Sequence, residues 1–321
     1  MYYILKKSDV PKLVRLLKKE FEIIAPVKKN GLLIFDKISS VKDLVKDYIN
    51  TAYPPKNFFL SDGETLYNYR KSKWIKITYP NNIKKRIIYG IRPCDVNALL
   101  KLDKILGGEF YYRIKRENTK IIAINCNEAG KNCFCTSFGD HELKEGFDLL
   151  LTDVGKEFYI KIGSKWGQKI VNLPIFKKSD KPFKRIFIEC KRFFLSYGLE
   201  KKIEKKFNAK IWEKYFKSCL SCSACSIVCP LCYCFDIQHI PKTKNKGIVK
   251  KTWSSCLLEE FTKIAGNFVF RSGRVERVRQ FIGHKFLYGK KQYDEFLCVG
   301  CGRCIEHCPV NIDFEKFLEE I

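Results

Sequence analysis

Hydrophobic and polar positions along this 321-residue chain follow two different periods, one on each side of about residue 200. Before that point, short apolar runs alternate with stretches of helical spacing. Residues 2–5, 21–27, 32–35, 86–90, 120–124 and 158–162 are continuous or alternating apolar runs, as strands are. Ser8, Asp9 and Pro11 form a helix-start signal, and Leu13, Leu16 and Leu17 then share one helical face. Residues 96–106 predict a further helix with Leu99, Leu100, Leu102 and Ile105 turned inward. Strands alternating with helices predict an α/β layer arrangement for residues 1–200.

Beyond residue 200 the spacing is helical. Ile203, Phe207, Ile211 and Phe216 line one face of residues 199–216, and residues 261–265 and 275–286 predict two more helices. Residues 242–251 are polar and basic and predict a loop. This half also carries one cysteine pattern twice. Cys219, Cys222, Cys225 and Cys229-Pro230 are spaced as are Cys298, Cys301, Cys304 and Cys308-Pro309. Three cysteines at i, i+3 and i+6 let one tight loop wrap three corners of a [4Fe–4S] cube, and the fourth cysteine reaches to the other cube. The expected cages are Cys219, Cys222 and Cys225 with Cys308, and Cys298, Cys301 and Cys304 with Cys229. Zinc sites favour paired C-x-x-C knuckles instead. The runs lie 69 positions apart, from Cys229 to Cys298, which predicts helical chain between them. The expected architecture is an α/β N-terminal domain, residues 1–200, and a C-terminal α-helical ferredoxin-type two-cluster domain, residues 201–321.

Eight of the sixteen cysteines lie outside the runs. Cys94 and Cys126 each follow a predicted strand, and Cys133 and Cys135 follow on a loop. Strand ends of an α/β layer converge on one edge, where ligand sites form. These four thiols make a complete ligand set for a third [4Fe–4S] cluster; a structural zinc or scattered buried thiols are the alternatives. Cys232, Cys234 and Cys256 are one ligand short, which favours packing or cube-tuning thiols over another cofactor with a non-cysteine fourth ligand. Cys190 reads as a core or helix-face cysteine. His307, beside Cys308, is a candidate for tuning a cluster by a hydrogen bond, though a lone histidine is more often solvated or packed.

Apolar residues make up 45% of the chain, so it is globular. The formal charge of +26 is spread in pairs such as Lys6-Lys7 and Lys250-Lys251 rather than gathered in one arm. That favours a solvated lysine-rich surface, with docking of acidic subunits or an acidic ferredoxin second, over nucleic-acid binding. No apolar run approaches the roughly eighteen residues of a membrane span. No secretory leader is evident, and cysteines at metal-ligand spacing suit a reducing cytoplasm, in an anaerobe. There is no G-x-G-x-x-G after a strand, no phosphate-binding loop and no G-x-S-x-G elbow. The chain reads as a carrier of electrons without a substrate site of its own.

Arg92-Pro93-Cys94-Asp95-Val96-Asn97-Ala98-Leu99, Asn132-Cys133-Phe134-Cys135, Cys229-Pro230-x-Cys232-x-Cys234, Trp253-x-Ser255-Cys256 and Cys298-Val299-Gly300-Cys301-Gly302-Arg303-Cys304 occur in that order. Together they resemble the iron–sulfur β subunit of sulfhydrogenase-type cytoplasmic NiFe hydrogenases and the related A subunit of anaerobic sulfite reductase. Ser223 stands where a glycine is common. The resemblance implies a relay subunit between a flavin subunit that exchanges hydride with NAD(P)H and a catalytic subunit with a NiFe site or a sirohaem. Two rivals remain. One is an iron–sulfur enzyme that itself acts on sulfite or polysulfide through Cys232, Cys234 or Cys256. The other is a nucleic-acid binder with structural clusters.

Overall fold

The computed structural model describes residues 2–80, 84–180 and 187–321. The chain opens with β1 (Tyr2–Lys6), α1 (Val10–Leu17), β2 (Glu22–Lys29) and β3 (Leu32–Lys37). A hairpin of β4 (Glu64–Lys71) and β5 (Ile75–Thr78) follows, then β6 (Arg86–Ile91), α2 (Pro93–Leu106), α3 (Phe110–Glu117) and β7 (Thr119–Ile124). After these come β8 (Leu149–Asp153), β9 (Glu157–Ile162), α4 (Lys165–Ile170) and β10 (Phe176–Ser179).

Eight of these strands form one sheet in the order β10-β1-β9-β8-β7-β6-β2-β3. Its centre, β2, β6, β7 and β8, is parallel, and its flanks are antiparallel. A parallel centre must be covered on both faces. Ile87, Tyr89, Ile122, Ile124 and Leu149 pack with α1 residues Leu13, Val14 and Leu17 on one face. Ile88, Ile91, Ile121, Ala123 and Leu150 pack with Val96, Leu99 and Leu102 of α2 on the other. The α/β reading of the first half is correct. In α2 the inward face is centred on Val96, Leu99 and Leu102, while Leu100 and Ile105 are only half-buried.

The second half contains α5 (Leu199–Lys205), α6 (Ile211–Phe216), α7 (Ala224–Ile227), β11 (Phe235–Thr243) and β12 (Lys246–Trp253). It ends with α8 (Arg274–Gly283), a π-helical turn (His284–Tyr288), α9 (Gly289–Tyr293), α10 (Arg303–Glu306) and α11 (Phe314–Glu320). Its core is aromatic: the Trp212 ring lies 4.7 Å from that of Phe317, and Phe216 lies 4.9 Å from Phe317.

This half is not purely helical, which corrects the expected class. Residues 242–251 are not a loop but most of a hairpin, in which Ile240 faces Ile248 and His239 faces Val249. β12 pairs in turn with β4, so a second sheet, β11-β12-β4-β5, draws strands from both halves of the chain. The basic residues hid the alternation. Gly247, Val249 and Lys251 point inward, and the buried Lys251 is matched by Glu64 at 3.5 Å. Gly247 leaves no room for a side chain, because a Cβ there would strike the Tyr69 ring. Residues 261–265 form no α-helix, only 3-10 turns at Glu260–Thr262 and Ala265–Asn267. The expected helix 199–216 breaks into α5 and α6.

Candidate metal-cluster sites

The two cysteine runs fold alike. Ser221 and Ser223 take left-handed φ of 53° and 63°, and the equivalent Gly300 and Gly302 take 59° and 75°. These two reversals coil each run, after which α7 or α10 begins. In both, the amide two residues on donates to the first thiol: Ser221 N–H to Cys219 Sγ and Gly300 N–H to Cys298 Sγ, each at 3.4 Å. Leu231 N–H donates to Cys229 Sγ at 3.4 Å and Ile312 N–H to Cys308 Sγ at 3.2 Å. Such donors stabilise a thiolate rather than a thiol.

The runs interleave. Cys225 and Cys229 line the same small apolar cavity as Cys298, Cys301 and Cys304, walled by Phe281 and Phe286. The thiols of Cys222 and Cys308 both act electrostatically on Cys219. Lys285, on the π-helical turn, donates to Cys229 Sγ at 3.2 Å and to the Leu297 carbonyl. Burial pulls the Lys285 pKa down, but the thiolates of Cys229, Cys232 and Cys298 outweigh it and hold the ammonium. Burial pushes Cys298 up to about 12 and also raises Cys225 and Cys304. Loading such thiols with iron releases protons, because a metal ligand is the thiolate.

A buried ion pair joins the second run to the first half. The Arg303 guanidinium grips Asp95 at 2.6 and 2.8 Å, and each side chain is 1% exposed. Arg303 also donates to the Thr51 carbonyl at 2.8 Å. Lys101 donates to the Cys298 carbonyl and pairs with Asp140. Gly300 accepts from Phe134 N–H at 2.8 Å, and a Cβ on Gly302 would collide with the Asn132 carbonyl. The segment carrying Cys133 and Cys135 is thus pressed against the second run.

Cys94 opens α2, and Cys126 follows β7, at adjacent ends of parallel strands. Cys126, Cys133 and Arg92 line one open cavity of about 730 Å³ together with Cys301. Burial raises the pKa of Cys94 and Cys126, and pushes Cys133 up to about 12. Cys190 is not a helix-face residue. It lies in irregular chain, 3.6 Å from Cys135 Sγ, and this hydrogen bond lowers Cys190 to about 5 and raises Cys135. The structure therefore gathers five thiols here, not four. Sequence spacing could not find the fifth, which arrives from 55 positions away.

Cys232, Cys234 and Cys256 sit beyond Cys229. Cys232 shares a hydrogen bond with Cys229, and Cys234 with Cys256; the latter bond lowers Cys234 to about 6. A cavity of about 180 Å³ lies beside them, lined by Cys232, Cys234, Lys56, Lys251 and Trp253. Among the described residues the His307 ring makes no hydrogen bond to a cysteine; backbone amides and Lys285 serve the thiols instead.

All sixteen cysteines are free of disulfides. Among the described residues no three His, Cys, Asp or Glu side chains converge tightly enough for a single metal ion. The donor set fits a larger group: paired thiol-rich loops, N–H donors to sulfur, a buried ammonium and apolar walls suit anionic iron–sulfur cubes. Among the described residues no helix is long and apolar enough to cross a membrane.

Comparison with known proteins agrees with this geometry. Residues 218–312 match the family described as 4Fe-4S dicluster domain. The whole chain is 30% identical over 336 aligned positions to sulfhydrogenase 2 subunit beta of Pyrococcus furiosus, covering 98% of that protein. Over 70% of its length it is 25% identical to F420-dependent formate dehydrogenase subunit beta of Methanocaldococcus jannaschii, covering 55% of that protein. No solved structure matches the chain.

Proposed function

This chain belongs to the iron–sulfur β subunits of the sulfhydrogenase type, and from that premise we propose how its thiols are used. Cys219, Cys222, Cys225 and Cys308 hold one [4Fe–4S] cluster; Cys298, Cys301, Cys304 and Cys229 hold a second. The observation that carries this reading is the interleaving of the runs, with Cys229 set into the cavity of the second run. Clusters of this kind take up and release single electrons. The chain is an electron-transfer subunit. Its own residues hold the cages, shield them with Phe281, Phe286 and Phe134, and balance their charge with Lys285.

A third [4Fe–4S] cluster lies at Cys94, Cys126, Cys133 and Cys135, supported by the convergence of these thiols on the edge that abuts the second run. Electrons pass between a flavin subunit that reacts with NAD(P)H and a catalytic hydrogenase subunit, in the cytoplasm. A sirohaem sulfite reductase subunit is the alternative terminus, and an acidic ferredoxin a further partner for this basic surface. Residues 1–200 and 201–321 act as scaffold and two-cluster module.

The test is Cys301→Ser in the anaerobically purified native complex. It removes one cluster signal from the EPR spectrum and halts NAD(P)H-linked turnover. An unchanged spectrum with unchanged turnover refutes the assignment. Metal analysis of the co-purified partner, for nickel or for sirohaem iron, decides between the two termini.

A further inference from the structure

We propose that Cys232, Cys234 and Cys256 hold a further iron–sulfur cluster, with three cysteinyl ligands, in a chamber neutralised by Lys56. The first observation is the convergence of thiols. Cys234 and Cys256 are hydrogen-bonded to one another, Cys232 lies against Cys229, and Lys285 acts electrostatically on all four. They come from two places, the chain after the first run and the chain after β12, which the Cys234 carbonyl ties together by accepting from Ser254 N–H at 3.1 Å.

The second observation is independent of the cysteines. Two lysines are buried here, Lys56 at 3% and Lys285 at 6% exposure. The other buried lysine among the described residues, Lys251, has Glu64, and the half-buried Lys101 has Asp140. Among the described residues Lys56 and Lys285 have none. Lys56 donates to the Ser226 carbonyl at 3.2 Å and the Cys232 carbonyl at 2.8 Å, and its ammonium stands 4.8 Å over the Trp253 ring. Buried charge of one sign requires the other close by. The second cage, held in part by Cys229, already answers Lys285, which leaves Lys56: burial pulls its pKa down, and the Cys232 and Cys229 thiols oppose that. A cluster with thiolate ligands is anionic, and one here balances the Lys56 ammonium.

The third observation is space. Cys232 and Cys234 both border the cavity of about 180 Å³ that Lys56 and Trp253 also line. A cluster with three cysteines leaves one corner without a protein thiolate, and this cavity gives that corner room. The inference stands apart from the third cluster near Cys94, since the two sites share no residue.

The test compares wild type with the Cys234→Ser/Cys256→Ser double variant, both isolated anaerobically as the native complex. Iron and acid-labile sulfide are counted, and Mössbauer spectra recorded. The expected result is a loss of about three to four irons per chain with matching sulfide, while the EPR signals of the two ferredoxin-type cages persist. Unchanged iron, or loss of about one zinc instead, overturns the inference. A second variant guards against misfolding: Cys126→Ser/Cys133→Ser/Cys135→Ser leaves this chamber untouched and only Cys94 and Cys190 at the other site. More than about eight irons in that protein upholds the inference, because the two cages account for eight, and about eight or fewer overturns it.

Discussion

The two cysteine runs share a spacing and a loop conformation but not a setting. The second is clamped from all sides: Arg303 holds Asp95, Lys101 holds the Cys298 carbonyl, and Gly300 and Gly302 lie against residues 132–135. The first has Cys222 exposed and Leu220 beside it at 55% exposure. Ligand geometry is thus encoded by a dozen residues, and environment by the whole chain. A buried cage changes charge at greater cost than an exposed one, so the two proposed cages should differ in potential and in who reaches them. The open run suits exchange with a partner, and the closed one suits passage between internal sites.

The largest test of that contrast removes one thiol from each proposed cage. Cys222→Ser and Cys304→Ser should each lose about four irons per chain. Cys222→Ser should still give soluble chain with the signal of the other cage intact. Cys304→Ser, in the clamped run, should also lower the yield of folded protein. Equal losses of fold in both variants would erase the distinction.

The Arg303–Asp95 pair comes next. Breaking a fully buried pair by removing one partner strands the other charge and costs about 3–5 kcal/mol. Asp95→Asn should therefore lower the denaturation midpoint steeply, and shift the spectrum of the second cage before that of the first. A variant as stable as wild type would show that the clamp is not what separates the runs.

Much of this was legible beforehand, and the gaps have physical causes. β6 and β7 are legible because a buried parallel strand is a continuous apolar run, and the antiparallel β1 because residues 2–5 are all apolar or aromatic. The hairpin β11–β12 escaped because its inward positions include Gly247 and Lys251, so polar composition masked period two. The eight cysteines of the runs were legible because their loops are local. Cys190, Lys56 and Lys285 were not, since each reaches the cysteines through tertiary folding alone, Lys56 meeting the Cys232 carbonyl from 176 positions away. Arg303 sits inside the motif, but nothing in the spacing says that its partner is Asp95.

Acid should weaken the clamped side through His284, which precedes Lys285 and shares a hydrogen bond with Tyr233 at 3.2 Å. Burial, and then the Lys285 charge, lower its pKa from 6.5 to about 4. The folded chain keeps His284 neutral where the unfolded chain protonates it. Its contribution to stability is therefore complete above pH 6.5 and falls away as pH drops toward 4, by at most about 3 kcal/mol. Unfolding followed against pH should show this slope in wild type and a flatter one in His284→Gln. The same slope in both would remove His284 from the account.

The smallest effect tests the loops themselves. Ser223 adopts a φ of 63° with a side chain, where the second run has Gly302. A left-handed residue with a Cβ costs about 1 kcal/mol, and the Ser223 hydroxyl is also buried without a hydrogen-bond partner. Ser223→Gly relieves both, against a smaller loss from the freer unfolded chain. It should raise stability by about 1 kcal/mol without altering iron content. The reverse exchange at Gly302 is closed, because a Cβ there meets the Asn132 carbonyl. The first run accommodates a buried serine side chain at this position, at 4% exposure, where the second run has backbone in the way. A destabilised Ser223→Gly protein would mean that the first loop is held by contacts as close as those of the second.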